Sequence, residues 1–446
     1  MREEPMRQKE PLRDEIEAHG DLLMILIVAL MIILSTPSSS PAGGEDGSSR
    51  EHWTRPVDSG PLTEDIHPER CAVCHMEQYR DWTGAMHSKS AGPGLMAQLA
   101  PHAAPEFAVS CYYCHAPLAS QSEVIMLPGN NYTSNIMFDK RLQSSGVSCP
   151  VCHVREGRIV GPPKIEARNR ISEVSSEKHG SHDGFVAKEF FEQAEFCAAC
   201  HQLDEGYELN GKLLVNTYRE WKDSEYGRKN IPCQSCHMPG RRHLFRGIHD
   251  PETVRNGVSI EAKRTKSGAR LTITNSGAGH YFPTYVTPLV VIKIFLTDKR
   301  GNMLKDTLKT ENIGRRTTID LSKELYDTRI PPFESRIFDY QVKPVIGAGR
   351  IVYSESLPLP TGNGGWGDGA DFHNQGVAKD SKDVAMIVLE VWVFPDEFYN
   401  RFFENALKNK DDGMKRDELE EACRITSKSG YLLFKKEIST NERSRQ

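Results

Sequence analysis

Apolar and polar positions divide the chain into stretches of different texture. Leu22 to Leu34 (LLMILIVALMIIL) is 13 apolar residues without a charge. As a helix it is about 20 Å long, short of a hydrocarbon core of about 30 Å and closer to the apolar region of a signal peptide. Ser35 to Gly60 is rich in Ser, Pro and Gly and reads as a tether. From Leu62 to Asp250 there is little regular apolar periodicity. From Val254 to Pro395 the pattern turns to β. Val258–Thr265 and Arg270–Asn275 flank Lys266-Ser267-Gly268 as a hairpin, and Leu289–Thr297, Arg336–Val342, Arg350–Ser354 and Val384–Phe394 are further strands. These short strands predict an immunoglobulin-like β-sandwich. Phe398 to Lys436 carries apolar positions at helical spacing, which predicts one or two terminal helices packed back on the body.

Composition narrows the function classes. At 446 residues the chain exceeds what one core supports, so at least two compact units are expected. A formal net charge of −5, from 56 Lys+Arg against 61 Asp+Glu, leaves no basic excess and argues against a nucleic-acid binder. A single apolar run excludes a polytopic membrane protein. Ser40-Pro41-Ala42 before Gly43 offers small residues at cleavage-type spacing, although Met1–Asp21 carries seven acids against four basic residues. Arg2, Arg7, Lys9 and Arg13 precede the apolar run and no Lys or Arg follows it for 15 residues. That bias keeps the N-terminus in the cytoplasm and sends the rest outward. A retained membrane anchor built from the same segment stays open.

The informative count is cysteine. Of 11, ten fall in five pairs, each followed at once by His: Cys71, Cys74 and His75; Cys111, Cys114 and His115; Cys149, Cys152 and His153; Cys197, Cys200 and His201; Cys233, Cys236 and His237. Two thiols three apart reach the two vinyl edges of one porphyrin, and the adjacent imidazole rises under the iron as its proximal ligand. Zinc ribbons, thioredoxin-like sites and disulfides also use Cys-x-x-Cys, but none of them requires the His. His is 16 of 446 residues, so five such successes by chance are on the order of 10⁻⁷. Five c-type haems are therefore expected. The porphyrins would form the core of this region, and the haem-free chain is expected not to fold. Cys423 (EEACRI) reads as a buried small hydrophobe, with a free thiol as the alternative.

Nine further histidines compete for the opposite face of each iron. His87 follows the first motif. His179 and His182 (KHGSH) precede the fourth, and His243 and His249 (HLFRGIH) follow the fifth. His280, in a Gly-flanked loop of the β region, is placed to reach back to an iron and staple the two halves. His67, His102 and His373 are weaker candidates, and Met76, Met86 and Met238 read as packing. One internal echo joins Tyr79-Arg80-Asp81-Trp82 to Tyr218-Arg219-Glu220-Trp221. Five residues past Trp stands His87 in the first copy and Tyr226 in the second, which leaves two readings: a lost ligand and an open iron, or a Tyr packed on a porphyrin.

The stretches CAVCHMEQYRDWTGAMH, GVSCPVCH, FCAACH, TYREWKDSEYGRKNIPCQSCHMP and RRHLFRGIHD, with NSGAGHYFPT further on, resemble the periplasmic multihaem c-type cytochromes related to the tetrahaem cytochrome of ammonia oxidation. The resemblance spans Cys71 to Pro395. It implies stacked, mostly bis-His haems that relay electrons, and it supports His87, His243 and His280 as ligands. Pentahaem nitrite reductases replace the His of one motif by Lys, and all five motifs here keep it.

The expected fold class is α+β and multidomain. Residues 1–42 are a signal peptide or anchor, 43–61 a linker, 62–253 a mostly α or irregular pentahaem cytochrome c region, 254–395 the β-sandwich and 396–446 a helical segment. The expected function is electron relay outside the cytoplasmic membrane. Its redox partners would be a quinol-oxidising membrane donor and a terminal reductase or extracellular acceptor, with a homo-oligomer left open. Two alternatives stand beside it. One is a haem enzyme acting on a nitrogen or sulfur oxyanion at one open iron near Arg241, Arg242 and His243. The other is a subunit of a conductive cytochrome filament.

Overall fold

A computed structural model describes residues 65–99, 105–127, 129, 131–163, 185–344, 351–353, 384–409 and 415–440. The leader, the tether, His102, His179, His182 and His373 lie outside the described residues.

The N-terminal region is built from short helices and two- to four-residue strands, as its weak periodicity predicts. Four of the five motifs end a helix: Pro105–His115, Cys149–His153, Glu195–His201 and Cys233–His237. A helical turn brings positions i, i+3 and i+4 to one face, so each of these motifs presents both thiols and its imidazole on the same side. The first motif is built differently. Helix Pro68–Ala72 ends inside it, Cys74 falls in the turn that follows, and His75 caps the next helix, Met76–Gly84. Backbone N–H groups of Cys74 and His75 both donate to the Cys71 carbonyl, at 3.2 and 2.9 Å, which keeps the motif wound as one turn. Apolar packing in this region is scattered. One cluster joins Ala91, Leu95, Leu99, Tyr112 and Ala116, and another holds only Leu118, Leu142 and Val151.

The C-terminal region is a pair of four-stranded antiparallel sheets with a separate two-stranded ladder, Arg315–Thr317 against Glu324–Asp327. The strands of the two large sheets are β1 (Ser259–Thr265), β2 (Gly268–Thr274), β3 (Leu289–Asp298), β4 (Lys309–Ile313), β5 (Ser335–Pro344), β6 (Ile351–Tyr353), β7 (Val384–Phe394) and β8 (Tyr431–Ser439). One sheet has the order β4-β3-β7-β8 and the other β6-β5-β2-β1. The β1–β2 hairpin pairs Thr265 with Gly268, and a Cβ at Gly268 would run into the Tyr340 carbonyl on β5. Alternation sends Ala269, Leu271 and Ile273 of β2 inward. They meet Val290, Ile292, Ile294 and Leu296 of β3 and Leu389, Val391 and Val393 of β7 in one continuous core.

The tail departs from expectation. Helices Glu397–Asn409 and Arg416–Ser427 form as predicted, but Tyr431–Ser439 is a strand that pairs with β7 from Val393↔Tyr431 to Met386↔Ser439. Tyr431-Leu432-Leu433-Phe434 answers the open edge of a long buried strand, and that pairing overrides the helical spacing upstream of it.

Polar groups bind the two regions. Arg315, fully buried, donates to Glu324 (2.8 Å) and to the carbonyls of Leu213 (2.5 Å), Leu209 (2.8 Å) and Lys212 (3.0 Å) in the N-terminal region. Lys212 in turn reaches Glu324 and Asp327. Thr217 meets Thr284 at 2.9 Å, and Arg329 meets Glu220 at 3.3 Å.

Candidate metal centres

Three pairs of imidazoles join a motif His to a His from elsewhere. His201 faces His87 with ring centroids 6.1 Å apart, His153 faces His243 at 6.0 Å, and His237 faces His280 at 6.3 Å. An imidazole nitrogen sits about 2 Å from a first-row metal ion and about 1 Å from its own ring centroid, so two rings in trans on one ion have centroids about 6 Å apart. All three pairs have that separation.

The outer nitrogens of five of these six rings are already engaged. Nδ1 lies 2.9 Å from the Val160 carbonyl in His153, 2.5 Å from Arg246 O in His237, 3.1 Å from Arg241 O in His243 and 2.9 Å from Tyr281 O in His280. In His115 it lies 2.8 Å from Ser90 O. His201 is held instead by the Tyr285 hydroxyl. Anchoring Nδ1 in this way fixes ring orientation and leaves Nε2 as the metal-binding atom. Burial pushes the pKa of His87, His153 and His280 down to about 4 and that of His201 to about 3, with neighbouring imidazoles lowering His201 further. The rings are therefore neutral, the form that ligates iron. His243 and His115 shift the same way for the same cause. His75 lies near His153 and His243, and His115 near His201.

The cysteines fit the same scheme. None forms a disulfide. Thiols of different motifs meet: Cys71 with Cys149, Cys114 with Cys200 and Cys197 with Cys233. Among the described residues no group of three or more His, Cys, Asp or Glu converges as a bare metal ion would need. The donor set is paired imidazoles beside paired thiols, which suits iron in a covalently held porphyrin.

Exposure of the motif thiols is uneven. Cys74 and Cys236 are exposed, whereas the other eight are half-buried. For Cys74 the cause is local. It stands in the turn beyond Pro68–Ala72, between the strongly exposed Val73 and the start of Met76–Gly84, so its side chain is left at the surface while Cys71 turns in to Cys149. Cys236 lies on the short helix Cys233–His237, which carries no buried residue. The first and fifth motifs therefore each have one half-buried and one exposed thiol.

Several other candidates fall elsewhere. His249, expected among the axial ligands, points Nε2 at Asp396 (2.9 Å), and that carboxylate holds the nitrogen an iron would need. His67 sits between Asp65 (2.5 Å) and Asp139 (3.0 Å). Arg241 is bound to Glu192 (2.5 Å) and the Pro163 carbonyl, and Arg242 clamps Asp81. Both guanidiniums of the suggested oxyanion site are thus paired. Met76 and Met86 are exposed. Tyr226 stacks on Phe333 with centroids 5.7 Å apart.

Sequence reading missed Tyr285, Phe245 edge-on to His87 at 4.4 Å, and Phe191 stacked on His153 at 5.2 Å. Isolated aromatics carry no spacing signal, and the anchoring carbonyls leave none at all.

Residues 70–154 match the family model described as cytochrome c554 and c-prime. The chain is similar to multihaem c-type cytochromes. The crystal structure of a penta-heme cytochrome c552 from Thermochromatium tepidum is 18% identical with a TM-score of 0.51, over 84% of this chain and 98% of that one. No curated protein matches the chain. The structural likeness extends well beyond the 70–154 segment and includes both α and β elements.

Proposed function

We propose that the chain is a pentahaem c-type cytochrome that relays electrons outside the cytoplasmic membrane. The observation that carries this reading is the set of three imidazole pairs 6.0–6.3 Å apart, each made of one Cys-x-x-Cys-His histidine and one remote histidine. Haem iron would supply one-electron chemistry here, and imidazoles on both sides, as the three pairs would provide, suit electron exchange rather than substrate binding. The ten paired cysteines would hold the porphyrins by thioether bonds, Cys74 and Cys236 from exposed positions. His75, His115, His153, His201 and His237 are the proximal ligands, and His87, His243 and His280 are distal ones.

The thiol contacts suggest the order of the relay. Motif one lies beside three, two beside four, and four beside five, which makes the centre on His201 a junction. Export on the apolar leader, or retention by it, sets the protein between a quinol-oxidising membrane donor and a terminal acceptor. The C-terminal sheets, an immunoglobulin-like sandwich in this reading, supply His280 and brace the relay. The family match and the penta-heme neighbour support it.

Mass spectrometry of the purified protein tests the haem count, with five covalent haems expected. Electron paramagnetic resonance of the oxidised form tests the relay. Low-spin iron throughout is expected, whereas a high-spin fraction near one fifth would overturn the pure relay in favour of an enzyme with one open iron.

A further inference from the structure

The echo of Tyr79-Arg80-Asp81-Trp82 in Tyr218-Arg219-Glu220-Trp221 has a spatial counterpart. In both copies the Tyr and Trp rings pack together, with centroids 5.7 and 5.6 Å apart. The Trp82 indole donates to the Val147 carbonyl at 2.8 Å, and Val147 stands two residues before Cys149. The Trp221 indole donates to the Ile231 carbonyl at 2.8 Å, and Ile231 stands two residues before Cys233. The acids point elsewhere. Asp81 accepts from the backbone N–H of His243 (3.1 Å) and takes Arg242 in a two-point grip at 2.6 and 2.6 Å. Glu220 accepts from the N–H of Tyr281 (3.0 Å), next to His280, and from Thr284 (2.9 Å), while Arg329 lies 3.3 Å away. Both carboxylates are 4% exposed.

The partners are paired consistently. Cys149 opens the motif of His153, which faces His243. Cys233 opens the motif of His237, which faces His280. We propose that each copy is an axial-ligand clamp: its indole holds the motif side of one iron site and its carboxylate holds the loop carrying the opposite histidine. Adjacent residues on a helix diverge by about 100°, so one rigid turn can grip two separate segments. The first copy would set the His153/His243 centre and the second the His237/His280 centre. This inference rests on the pentahaem reading and adds positioning residues that the cysteine motifs do not reveal. It also replaces the lost-ligand reading of Tyr226, since the echo lies in the acid and the indole.

Electron paramagnetic resonance of the five-haem protein tests it, with His243→Ala and His280→Ala identifying which low-spin signal belongs to which pair. In Asp81→Asn only the signal assigned by His243→Ala changes, and in Glu220→Gln only the signal assigned by His280→Ala. Loosening the distal ring about tenfold or more gives a high-spin component from that centre alone. Asp81→Glu, which places the acid of the second copy in the first, retains the native signal. If an acid variant does not accumulate, Trp82→Phe and Trp221→Phe remove only the indole N–H and carry the same site-by-site expectation. Unmoved signals, or equal changes at all centres, overturn the clamp. A protein lacking five haems by mass overturns the functional reading instead.

Discussion

The two regions solve the problem of a core in different ways. Among the described residues, the C-terminal sheets bury 19 side chains in one contiguous apolar cluster, including Leu271, Ile292, Ile294 and Val391. The N-terminal region offers clusters of five, three and four buried residues. Between these small clusters stand half-buried groups that are not apolar side chains of the usual kind: His87, His153, His201, and cysteines such as Cys152 and Cys197. Half-buried imidazoles and thiols set among such small apolar clusters fit around a large apolar cofactor, which would supply the buried area that the side chains there do not. One region is held by its own side chains; the other is arranged to be completed.

The largest effect should come from withholding haem. Chain made without haem attachment is expected to lose cooperative structure across 65–253, because the small clusters there cannot offset the conformational entropy of ordering that length. The sheets keep their own core and should survive, which narrows the expectation that the haem-free chain does not fold to the N-terminal region. Limited proteolysis with circular dichroism would show cuts confined to the N-terminal region. A cooperative melt of that region in haem-free protein would erase the contrast.

The next effect lies at the seam. Arg315 is completely buried and satisfies Glu324 together with three carbonyls of the N-terminal region. Arg315→Leu would leave Glu324 to Lys212 alone among charged partners and the three carbonyls without this donor, at a cost of about 2–4 kcal/mol. Arg424→Leu, which breaks a fully exposed pair with Glu421, should leave stability close to unchanged. Denaturant unfolding of the holoprotein compares the two. Equal losses would mean that the seam holds no more than the surface does.

How much of this was legible in sequence follows from which signals are local. Five Cys-x-x-Cys-His motifs are local chemistry at fixed spacing, and the alternation of Arg270-Leu271-Thr272-Ile273 is a local period, so both were readable. The exposure of Cys74 was not, because the same spacing is met whether a helix runs through the motif or ends inside it. His280 was readable as a candidate because glycines set it in a loop, and the structure brings it to His237. His249 has equally good local context but meets Asp396, a residue 147 positions away. Tyr431–Ser439 misled because a helical period upstream continued into a segment whose fate is set by the edge of β7. The Asp/Glu-Trp echo was visible as a repeat, but its role depends on Val147, Ile231, His243 and Tyr281, most of them contributed from distant chain segments.

A third effect is moderate and depends on pH. Asp327 and Glu220 share Arg329, but unequally. Asp327 takes the guanidinium at two points, 2.9 and 2.9 Å, while Glu220 receives one contact at 3.3 Å. Burial opposes ionisation of both carboxyls. Arg329 and Lys212 overcome it for Asp327, which falls from 3.8 to about 2, whereas burial wins for Glu220, which rises. A depressed folded pKa stabilises above the unfolded value and loses that contribution as pH drops through the folded one. Asp327 therefore contributes about 2 kcal/mol above pH 4 that disappears between pH 4 and 2. In Asp327→Asn this part of the acid-induced loss, followed by denaturant unfolding at each pH, should be absent. An unchanged slope would mean that the seam does not depend on this carboxylate.

The smallest effect tests the partition of the cysteines themselves. Cys423 is half-buried on the helix Arg416–Ser427 beside Phe403, Ala406, Leu419 and Ala422, with its sulfur 3.8 Å from Asn400 Oδ1. Burial pushes its thiol pKa up, so it stays protonated and unreactive, a small apolar side chain in a helix–helix contact of the C-terminal region. Cys423→Ala removes one sulfur from that contact and should cost about 1 kcal/mol or less, with the haem count by mass unchanged. Cys149→Ala would behave differently, because its sulfur belongs to a motif whose imidazole faces His243 and whose thiol meets Cys71. It should lose one thioether, with little change in the melting of the sheets. If Cys423→Ala lowered the haem count instead, the division between a region completed by cofactor and a region held by its own side chains would no longer follow the cysteines.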